Sequence, residues 1–357
     1  MSSKLRPLYD KLYMGIDTRL LALQANKDGR VRAKKLPKNP ALDKEYRSVV
    51  LPYWKSFGIK PKKFWYRIYC DRAEHISPEY IPDDLWFNKI IPHFNTLLFA
   101  QALQDKGQHN ILVPGVKRPA TVVKNVAGVF YDDNSQLLTE AEAIDCCLRA
   151  NRFLVKPSVG SGKGNNIRFY NGSDLTAEQV RKLFSDYGNR NFIVQEKMNQ
   201  HPDMAAIYAH SLNTIRIVTF LYRNEVHILS MIVRIGSGGS EIDNVSQGGY
   251  ACKVNPDGRL DPLAVNRKGE WVDTHPDGAV FAQVTIPCFD KLMHTVKEAA
   301  SKIAHFKLLG WDFAIDEEGD PVFIEYNVIP GQNQKTWGPT FGPMTQDVLR
   351  EVFPKSK

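Results

Sequence analysis

The sequence predicts an α+β fold of two lobes behind a mainly helical N-terminal region. Three observations carry this. Helical patterns broken by proline loops fill residues 1–108, strand-like and helical runs alternate over 109–195, and 196–357 is strand-rich with one clear helix. At 357 residues and 43% apolar composition, the chain is long enough for two or three domains with cores of their own.

The N-terminal region is basic. Residues 1–63 hold 16 Lys or Arg against 5 Asp or Glu, an excess of +11, while the whole chain carries +8. Leu8, Leu12, Ile16, Leu20 and Leu23 recur at helical spacing and predict an amphipathic helix. Such a stripe either packs on the protein's own core or, with the surrounding charge, meets an anionic surface such as lipid headgroups, a phosphorylated substrate or nucleic acid. Loops follow at Leu36-Pro37-Lys38-Asn39-Pro40 and Ile59-Lys60-Pro61. No run of about 18 apolar residues exists, so no membrane span is expected. The start, Met1-Ser-Ser-Lys-Leu-Arg-Pro7, has no apolar stretch and argues against a signal peptide. The five cysteines, Cys70, Cys146, Cys147, Cys252 and Cys288, show no CxxC spacing and read as thiols of a reducing cytosol.

In the second region the strand-like runs are Ile111–Val113, Thr121–Val123, Arg152–Lys156 and Asn191–Gln195, with helices at Glu140–Ala150 and Ala177–Tyr187. The third region offers strands at Thr214–Tyr222, Val226–Arg234, Tyr250–Val254, Trp311–Ile315 and Pro321–Tyr326, and a helix at Phe289–Phe306.

Chemistry enters at Phe153-Leu-Val-Lys-Pro-Ser-Val-Gly-Ser-Gly-Lys-Gly-Asn-Asn166. An apolar strand delivers Lys156, then Gly160, Gly162 and Gly164 alternate with Ser161 and Lys163 behind Ser158, and a second strand, Ile167–Tyr170, follows. Glycines let the backbone approach an anion and aim several N–H groups at it. The order GxxxxGK[ST] is missing and a strand follows, so this is not a P-loop but fits a hairpin over phosphates. A plain surface turn is the alternative.

The second constellation runs from Gly310-Trp-Asp312 to Glu325-Tyr-Asn327-Val-Ile-Pro-Gly331. Two strands joined by Asp316-Glu-Glu-Gly-Asp-Pro321 would put Glu325 and Asn327 on one face, with Asp312 beside them. Three hard oxygen donors then converge among apolar neighbours, the kind of set that holds Mg²⁺ together with substrate phosphates. Ordinary hairpin polarity accounts for Asp316 to Asp320 but not for Glu325 and Asn327.

Between these lies Ile193-Val-Gln-Glu-Lys-Met198, a buried strand whose end, Gln195, Glu196, Lys197 and Met198, suits a hinge reading an adenine edge; Asp203 follows within reach of ribose hydroxyls. Arg216 sits on the apolar strand Asn213-Thr-Ile-Arg-Ile-Val-Thr-Phe220, where an unpaired charge is costly, so a phosphate, a substrate carboxylate or a structural ion pair is expected beside it. Arg234 ends the next strand and faces the same alternatives. The glycine-rich segment from Gly236 through Asn244 to Gly248 and Gly249 has the composition of a loop that closes on substrate.

Together, the Lys-Pro strand, the Gly-rich hairpin, the Gln-Glu hinge, the NTxR strand, the NxxxGG loop and the terminal D-x₁₂-E-x-N resemble the ATP-grasp fold. Ser77-Pro-Glu-Tyr-Ile-Pro82, Ile91-Pro-His-Phe-Asn95, Leu103-Gln-Asp105-Lys106 and Arg118-Pro-Ala-Thr-Val-Val-Lys124-Asn are similar to a narrower branch, the sugar-transfer-associated ATP-grasp family. The resemblance covers about residues 75–345; the first 75 or so carry no motif of the family. It implies MgATP bound between the lobes, with Lys124 and Lys156 on the phosphates and Ser158–Gly164 closing over them. It implies adenine at Gln195–Met198, ribose at Asp203, and two Mg²⁺ at Asp312, Glu325 and Asn327. Arg216 would steady the transferring phosphoryl group.

The expected activity is ATP-dependent joining of a carboxylate, small or sugar-linked, to an amine through an acyl-phosphate, in surface polysaccharide biosynthesis. An ATP-grasp kinase acting on a hydroxyl and a non-catalytic basic binding protein are the alternatives. The expected setting is the cytoplasm, with peripheral contact at the anionic inner face of the membrane. No nucleic-acid motif is present, and no nucleic-acid partner is expected.

Overall fold

A computed structural model describes residues 6–36, 40–71, 76–160, 167–188, 191–243, 248–303 and 305–354, with side chains from residue 17 onward. Its first element is a 30-residue helix, Arg6–Lys35. Leu20 and Leu23 of the leucine stripe do not mediate its packing. Leu20 is 58% and Leu23 65% exposed, whereas Thr18, Ala22 and Ala33 are buried; the side chains of Leu8, Leu12 and Ile16 lie outside those described. Gly29 explains the choice of face, since a Cβ there would lie 2.7 Å from the Trp65 ring. Gly29 lets the helix approach the indole, and the bulkier Leu20 and Leu23 are turned outward.

The remaining N-terminal helices do not form a core of their own. Trp54, Trp65, Trp86 and Phe94 join one apolar cluster with Val218, Phe220, Trp311 and Phe323 of the large sheet. Two polar ties fix this docking. Asn95 Nδ2 donates to the Leu308 and Val328 carbonyls, both at 2.7 Å, and Trp86 Nε1 donates to the Pro330 carbonyl at 2.7 Å. The run Ile111–Val113, read as a strand, is instead the end of a helical turn, His109–Leu112. Three apolar residues cannot separate the two periods, and Asp105 starts the preceding turn by accepting from the Gly107 amide.

The smaller sheet comprises β1 Thr121–Val126, β2 Val129–Tyr131, β3 Leu137–Leu138, β4 Arg152–Pro157, β5 Arg168–Asn171 and β6 Phe192–Glu196. It is antiparallel in the order β3-β2-β1-β6-β4-β5. Helices Glu140–Arg149 and Ala177–Tyr187 both start at full capping boxes, Thr139 with Glu142 and Thr176 with Gln179. They cover the face bearing Val123, Phe153, Val155, Phe192 and Val194. Alternation sends Leu154, Lys156 and Gln195 to the other face.

The larger sheet comprises β7 Thr214–Tyr222, β8 Glu225–Ile235, β9 Tyr250–Val254, β10 Leu260–Asn266, β11 Trp271–Val272, β12 Leu308–Ile315 and β13 Pro321–Asn327. Its order is β11-β10-β9-β8-β7-β12-β13, antiparallel throughout. One register row sets Glu325 opposite Asp312 and Asp312 opposite Arg216; the next on the same face, two residues on, sets Asn327 opposite Gly310. Gly310 carries no side chain because a Cβ would lie 2.8 Å from Pro330. The chain after β13 thereby crosses the sheet directly beside these polar residues.

Candidate active site

A cavity of about 400 Å³ opens between the two sheets. From the smaller sheet come Leu154, Lys156, Phe169, Gln195 and Glu196, and from the hinge after β6 come Lys197 and Met198. The larger sheet supplies Thr214, Arg216, Arg234, Asp312, Glu325 and Asn327. The structure thus brings together ten of the sixteen singled-out residues that it describes, from segments more than 150 positions apart.

The polar floor is tightly paired. Arg216 grips Asp312 with two nitrogens, Nη2 donating to Oδ2 at 2.8 Å. Arg234 Nη2 lies 3.2 Å from the same Oδ2 and also donates to Thr214 Oγ1 at 2.8 Å. Behind them, Asp243 accepts the Thr214 hydroxyl and approaches Arg234 at 3.6 Å. Of the partners the sequence left open for Arg216 and Arg234, the ion pair is the one in place. Burial would lower the charge of Arg234, yet Asp243, Asp312 and Glu325 hold its proton more firmly than in free arginine. Burial pushes the Asp243 carboxyl up against the pull of Arg234.

Glu325 is paired with Lys106, Nζ to Oε2 at 3.2 Å. Burial would raise its carboxyl, but Lys106, Lys156, Arg216 and Arg234 outweigh that and hold it well below the usual carboxylate range. Burial brings the Lys156 ammonium down to about 8; Lys106 pushes the same way, and Glu325 opposes. The cleft thus lines up Lys106, Lys156, Lys197, Arg216 and Arg234 against as many acids, Glu196, Glu241, Asp243, Asp312 and Glu325, so its cations are largely paired and a polyanion would bind with the help of a metal ion.

Magnesium fits this site by the chemistry of its donors. Asp312 and Glu325 supply carboxylates and the half-buried Asn327 an amide oxygen, while the same amide's Nδ2 is buried without a hydrogen-bond partner among the described residues. No group of three or more acidic, His or Cys side chains is assembled among the described residues, so the remaining coordination would fall to phosphate and water.

Several expected residues stand elsewhere. Lys124 is on the cleft face of β1, but its Nζ donates to the Gly107 carbonyl at 3.1 Å and to Ser135 Oγ at 2.8 Å, and it does not line the cavity. Asp203 is 69% exposed beside His201, because the helical turn Pro202–Ala205 interrupts the extended path that would have carried it to a ribose. Ser158 is buried below the cavity, and its carbonyl accepts from the Lys106 amide at 3.0 Å. Gly160 has φ of +66°, a left-handed value that suits glycine, and open space around it. Ser161, Gly162, Lys163, Gly164 and Asn244 lie outside the described residues. Gly248 and Gly249 do not line the cavity; from the same segment, Glu241, Ile242 and Asp243 do.

Sequence reasoning gave no role to Lys106, Phe169, Glu241 or Asp243. Glu241 accepts from Arg152 Nη2 at 2.6 Å and Lys197 Nζ at 3.1 Å, so it ties the larger lobe's loop to the smaller sheet and the hinge. Its signal was two acids, Glu241 and Asp243, in a segment otherwise read for its glycines. Hinge amides are already partly used, with Glu196 donating to the Ala120 carbonyl and Lys197 to that of Arg152.

Among solved structures, the chain is similar to the ATP-grasp ligase PsnB complexed with minimal precursor, at 12% identity over 71% of this chain and 62% of that one, TM-score 0.41. It is also similar to D-alanine–D-alanine ligase from Bacillus anthracis (11%, 72% and 68%, TM-score 0.41) and to biotin carboxylase from Campylobacter jejuni (12%, 74% and 50%, TM-score 0.44). The chain spans about three fifths of the length of the first of these. Comparison with curated proteins gives no match. A family profile described as sugar-transfer associated ATP-grasp matches residues 88–336. That match takes in more than two thirds of the sequence and includes every strand lining the cleft: the chain belongs to the sugar-transfer associated ATP-grasp family.

Proposed function

We propose that this ATP-grasp protein is an ATP-dependent carboxylate–amine ligase acting through an acyl-phosphate. Its substrate is a sugar-linked or amino-acid carboxylate of surface polysaccharide biosynthesis. The observation that carries the reading is the assembly of Lys106, Lys156, Arg216 and Arg234 with Asp312, Glu325 and Asn327 around one cleft. On this reading 109–195 is the small ATP-grasp lobe and 196–357 the large one, behind the basic region 1–108.

Leu154, Phe169, Met198 and Ile324 offer the adenine ring an apolar seat, with the hinge at Gln195–Met198 beside it. Lys156 and Lys106 meet the phosphates as cations. Asp312, Glu325 and Asn327 would hold Mg²⁺, two ions in this reading, and the bound metal neutralises phosphate charge. A substrate carboxylate oxygen attacks the γ-phosphorus, the bond to ADP breaks, and an acyl-phosphate remains. The amine nitrogen then attacks the acyl carbon, the C–O bond breaks, phosphate leaves and the amine proton passes to solvent. Arg216 and Arg234, locked by Asp312, Thr214 and Asp243, present preorganised charge where negative charge develops.

No helix among the described residues is long and apolar enough to cross a membrane. The exposed Leu20 and Leu23 on a basic helix support peripheral contact with an anionic bilayer.

The test is ADP release screened against pooled carboxylates and amines, with product mass spectrometry. Amine-dependent turnover and hydroxamate formation with hydroxylamine are expected. A phosphorylated hydroxyl compound as the sole product would overturn the ligase in favour of a kinase.

A further inference from the structure

Arg234 and Asp243 reach the cleft from one stretch of chain. β8 ends at Ile235, and the segment that leaves it brings Glu241, Ile242 and Asp243 back to line the cavity. Two buried rings that do not line the cavity set this path, Tyr208 and His275. Tyr208 Oη donates to the Ser240 carbonyl at 3.0 Å. His275 Nε2 lies 2.9 Å from the Gly236 carbonyl, which can only accept, so this nitrogen carries a proton. The Nδ1 accepts from the Asp277 amide at 3.2 Å, which fixes the tautomer. The two rings pack with centres 5.3 Å apart, and Tyr250 packs on the imidazole at 5.4 Å. No side chain fits at Gly236, where a Cβ would lie 2.6 Å from Ser211 Oγ and 2.7 Å from Tyr208 Cε1.

The same rings are tied to the strand that bears Arg216. Asn213 Nδ2 donates to the Tyr208 carbonyl at 2.8 Å and to that of Met204 at 2.6 Å. Gln200 Oε1 accepts the Asn213 amide at 2.8 Å, and its Nε2 donates to the Tyr208 carbonyl at 3.0 Å. Thr214 follows, and its amide donates to Asp243 Oδ2 at 3.2 Å. The contacts therefore close a ring through Asn213, Tyr208, Ser240, Asp243 and Thr214. Arg234 donates to Thr214 within it, and Gly236, two residues on, is held by His275. Asn213, the first residue of the Asn-Thr-x-Arg run, thus has a role that no reaction step gives it.

We propose that Tyr208 and His275 are positioning residues for the phosphoryl-transfer step. They make the segment 236–243 one body with the larger sheet and so aim Arg234 at the transferring phosphoryl group. The inference rests on the ligase reading, from which the role of Arg234 comes. A ring of hydrogen bonds closed outside the cavity holds the guanidinium in place without consuming its charge. Charge fixed before the reaction needs no reorganisation as the transition state forms. A displacement of about 1 Å at such a group costs up to roughly 10²-fold in rate. Neither ring lines the cavity, so the effect falls on the transition state and not on nucleotide binding.

Calorimetry on the full chain with MgADP, alone and with aluminium fluoride, tests this. Tetrafluoroaluminate stands in for the phosphoryl group in flight. In the wild type it is expected to tighten ADP binding, and Arg234→Gln is expected to lose that gain. Tyr208→Phe, which removes one hydroxyl, and His275→Ala should each reduce the gain about ten-fold, with affinity for MgADP alone within two-fold of wild type. His275→Gln, which offers a donor near the Nε2 position, should recover part of it. If Arg234→Gln loses the gain while Tyr208→Phe and His275→Ala keep it, the positioning role is overturned and the ligase reading stands. Equal weakening of MgADP and of the fluoride complex would also overturn it, since the rings would then only support the fold. No gain in the wild type, or a gain that survives Arg234→Gln, would remove Arg234 from the reacting phosphate and sink the ligase reading together with this inference.

Discussion

Lys106 Nζ lies 3.2 Å from Glu325 Oε2, and the Lys106 amide donates to the Ser158 carbonyl, so one residue ahead of both sheets ties the end of β4 to the carboxylate on β13. A divalent cation held by Glu325 would share that carboxylate with the Lys106 ammonium. Lys106→Met is expected to tighten Mg²⁺ binding, since a competing cation is gone. It should also lower turnover by roughly 10²-fold, the scale of losing one preorganised charge at a phosphoryl-transfer site. Magnesium titration followed by calorimetry, alongside ADP release, checks both; weaker metal binding would mean that Lys106 organises Glu325 rather than competing for it.

Glu325→Gln keeps the side-chain volume while removing a charge that four cations share. Turnover should fall below one hundredth of wild type with the fold retained by circular dichroism. Transfer of phosphate at the wild-type rate would remove Glu325 from the proposed metal set. The same variant withdraws the charge that supports the Lys156 ammonium, so the Lys156 titration should move down from about 8.

Lys156 sets the pH dependence of nucleotide binding. Burial lowers its ammonium from the ordinary lysine value of 10.5 to about 8. Below pH 8 the group is charged before ATP arrives, and affinity is flat. Above pH 8 binding must first take up a proton, so affinity should fall by up to ten-fold per unit until the pKa of the complex is reached. Stability runs the other way: between about 8 and 10.5 the unfolded chain binds more protons than the folded one, so stability rises with pH across that window. Titrations in buffers of different ionisation enthalpy at pH 7 and 9 should show proton uptake at pH 9 only. Lys156→Met should abolish the difference.

The sequence was most legible where a side chain contradicts its element. Glu325 and Asn327 end an apolar strand, Arg216 interrupts one, and Lys156 does the same on β4; period-2 alternation puts Glu325 and Asn327 on one face of β13, and the register of β12 with β13 and β7 sets Asp312 and Arg216 beside Glu325. Legibility failed where backbone path decides. Asp203 needed an extended chain and met a helical turn. Asp243 and Lys106 reach the cleft from irregular segments that no period describes. For the first helix the sequence left two readings of the stripe open, and the exposure of Leu20 and Leu23 follows from Gly29 lying against Trp65, a steric fact that hydrophobicity cannot reveal.

Glu241 should act on nucleotide entry rather than on stability. Its contacts to Arg152 and Lys197 are half exposed, with its side chain at 38%, so screening leaves them worth about 0.5 kcal/mol or less to folding. They nonetheless hold the loop of the large lobe against the hinge beside the apolar adenine seat. Glu241→Gln should leave the melting temperature within about 2 °C while speeding both association and release of ATP. Stopped-flow binding of a fluorescent ATP analogue separates the two effects. Unchanged rates would make the contact a static one.

The exposed leucines of the first helix give the last prediction. Leu20 and Leu23 lie open on a helix within a segment of net charge +11, and the face opposite them is spent on Trp65. Attraction to anionic headgroups contributes about 1 kcal/mol per basic residue near the surface and fades within a Debye length. Insertion of apolar side chains is not screened by salt. Wild-type protein should therefore sediment with anionic vesicles at low salt and retain part of that binding at high salt. Leu20→Ser/Leu23→Ser should keep the first component and lose the second. Charge reversal at several Lys or Arg within 1–63 should lose the first. Equal sedimentation with neutral and anionic vesicles at low salt would show that the charge serves a soluble substrate instead. Persistence at high salt in the double serine variant would show that the leucines do not enter the bilayer.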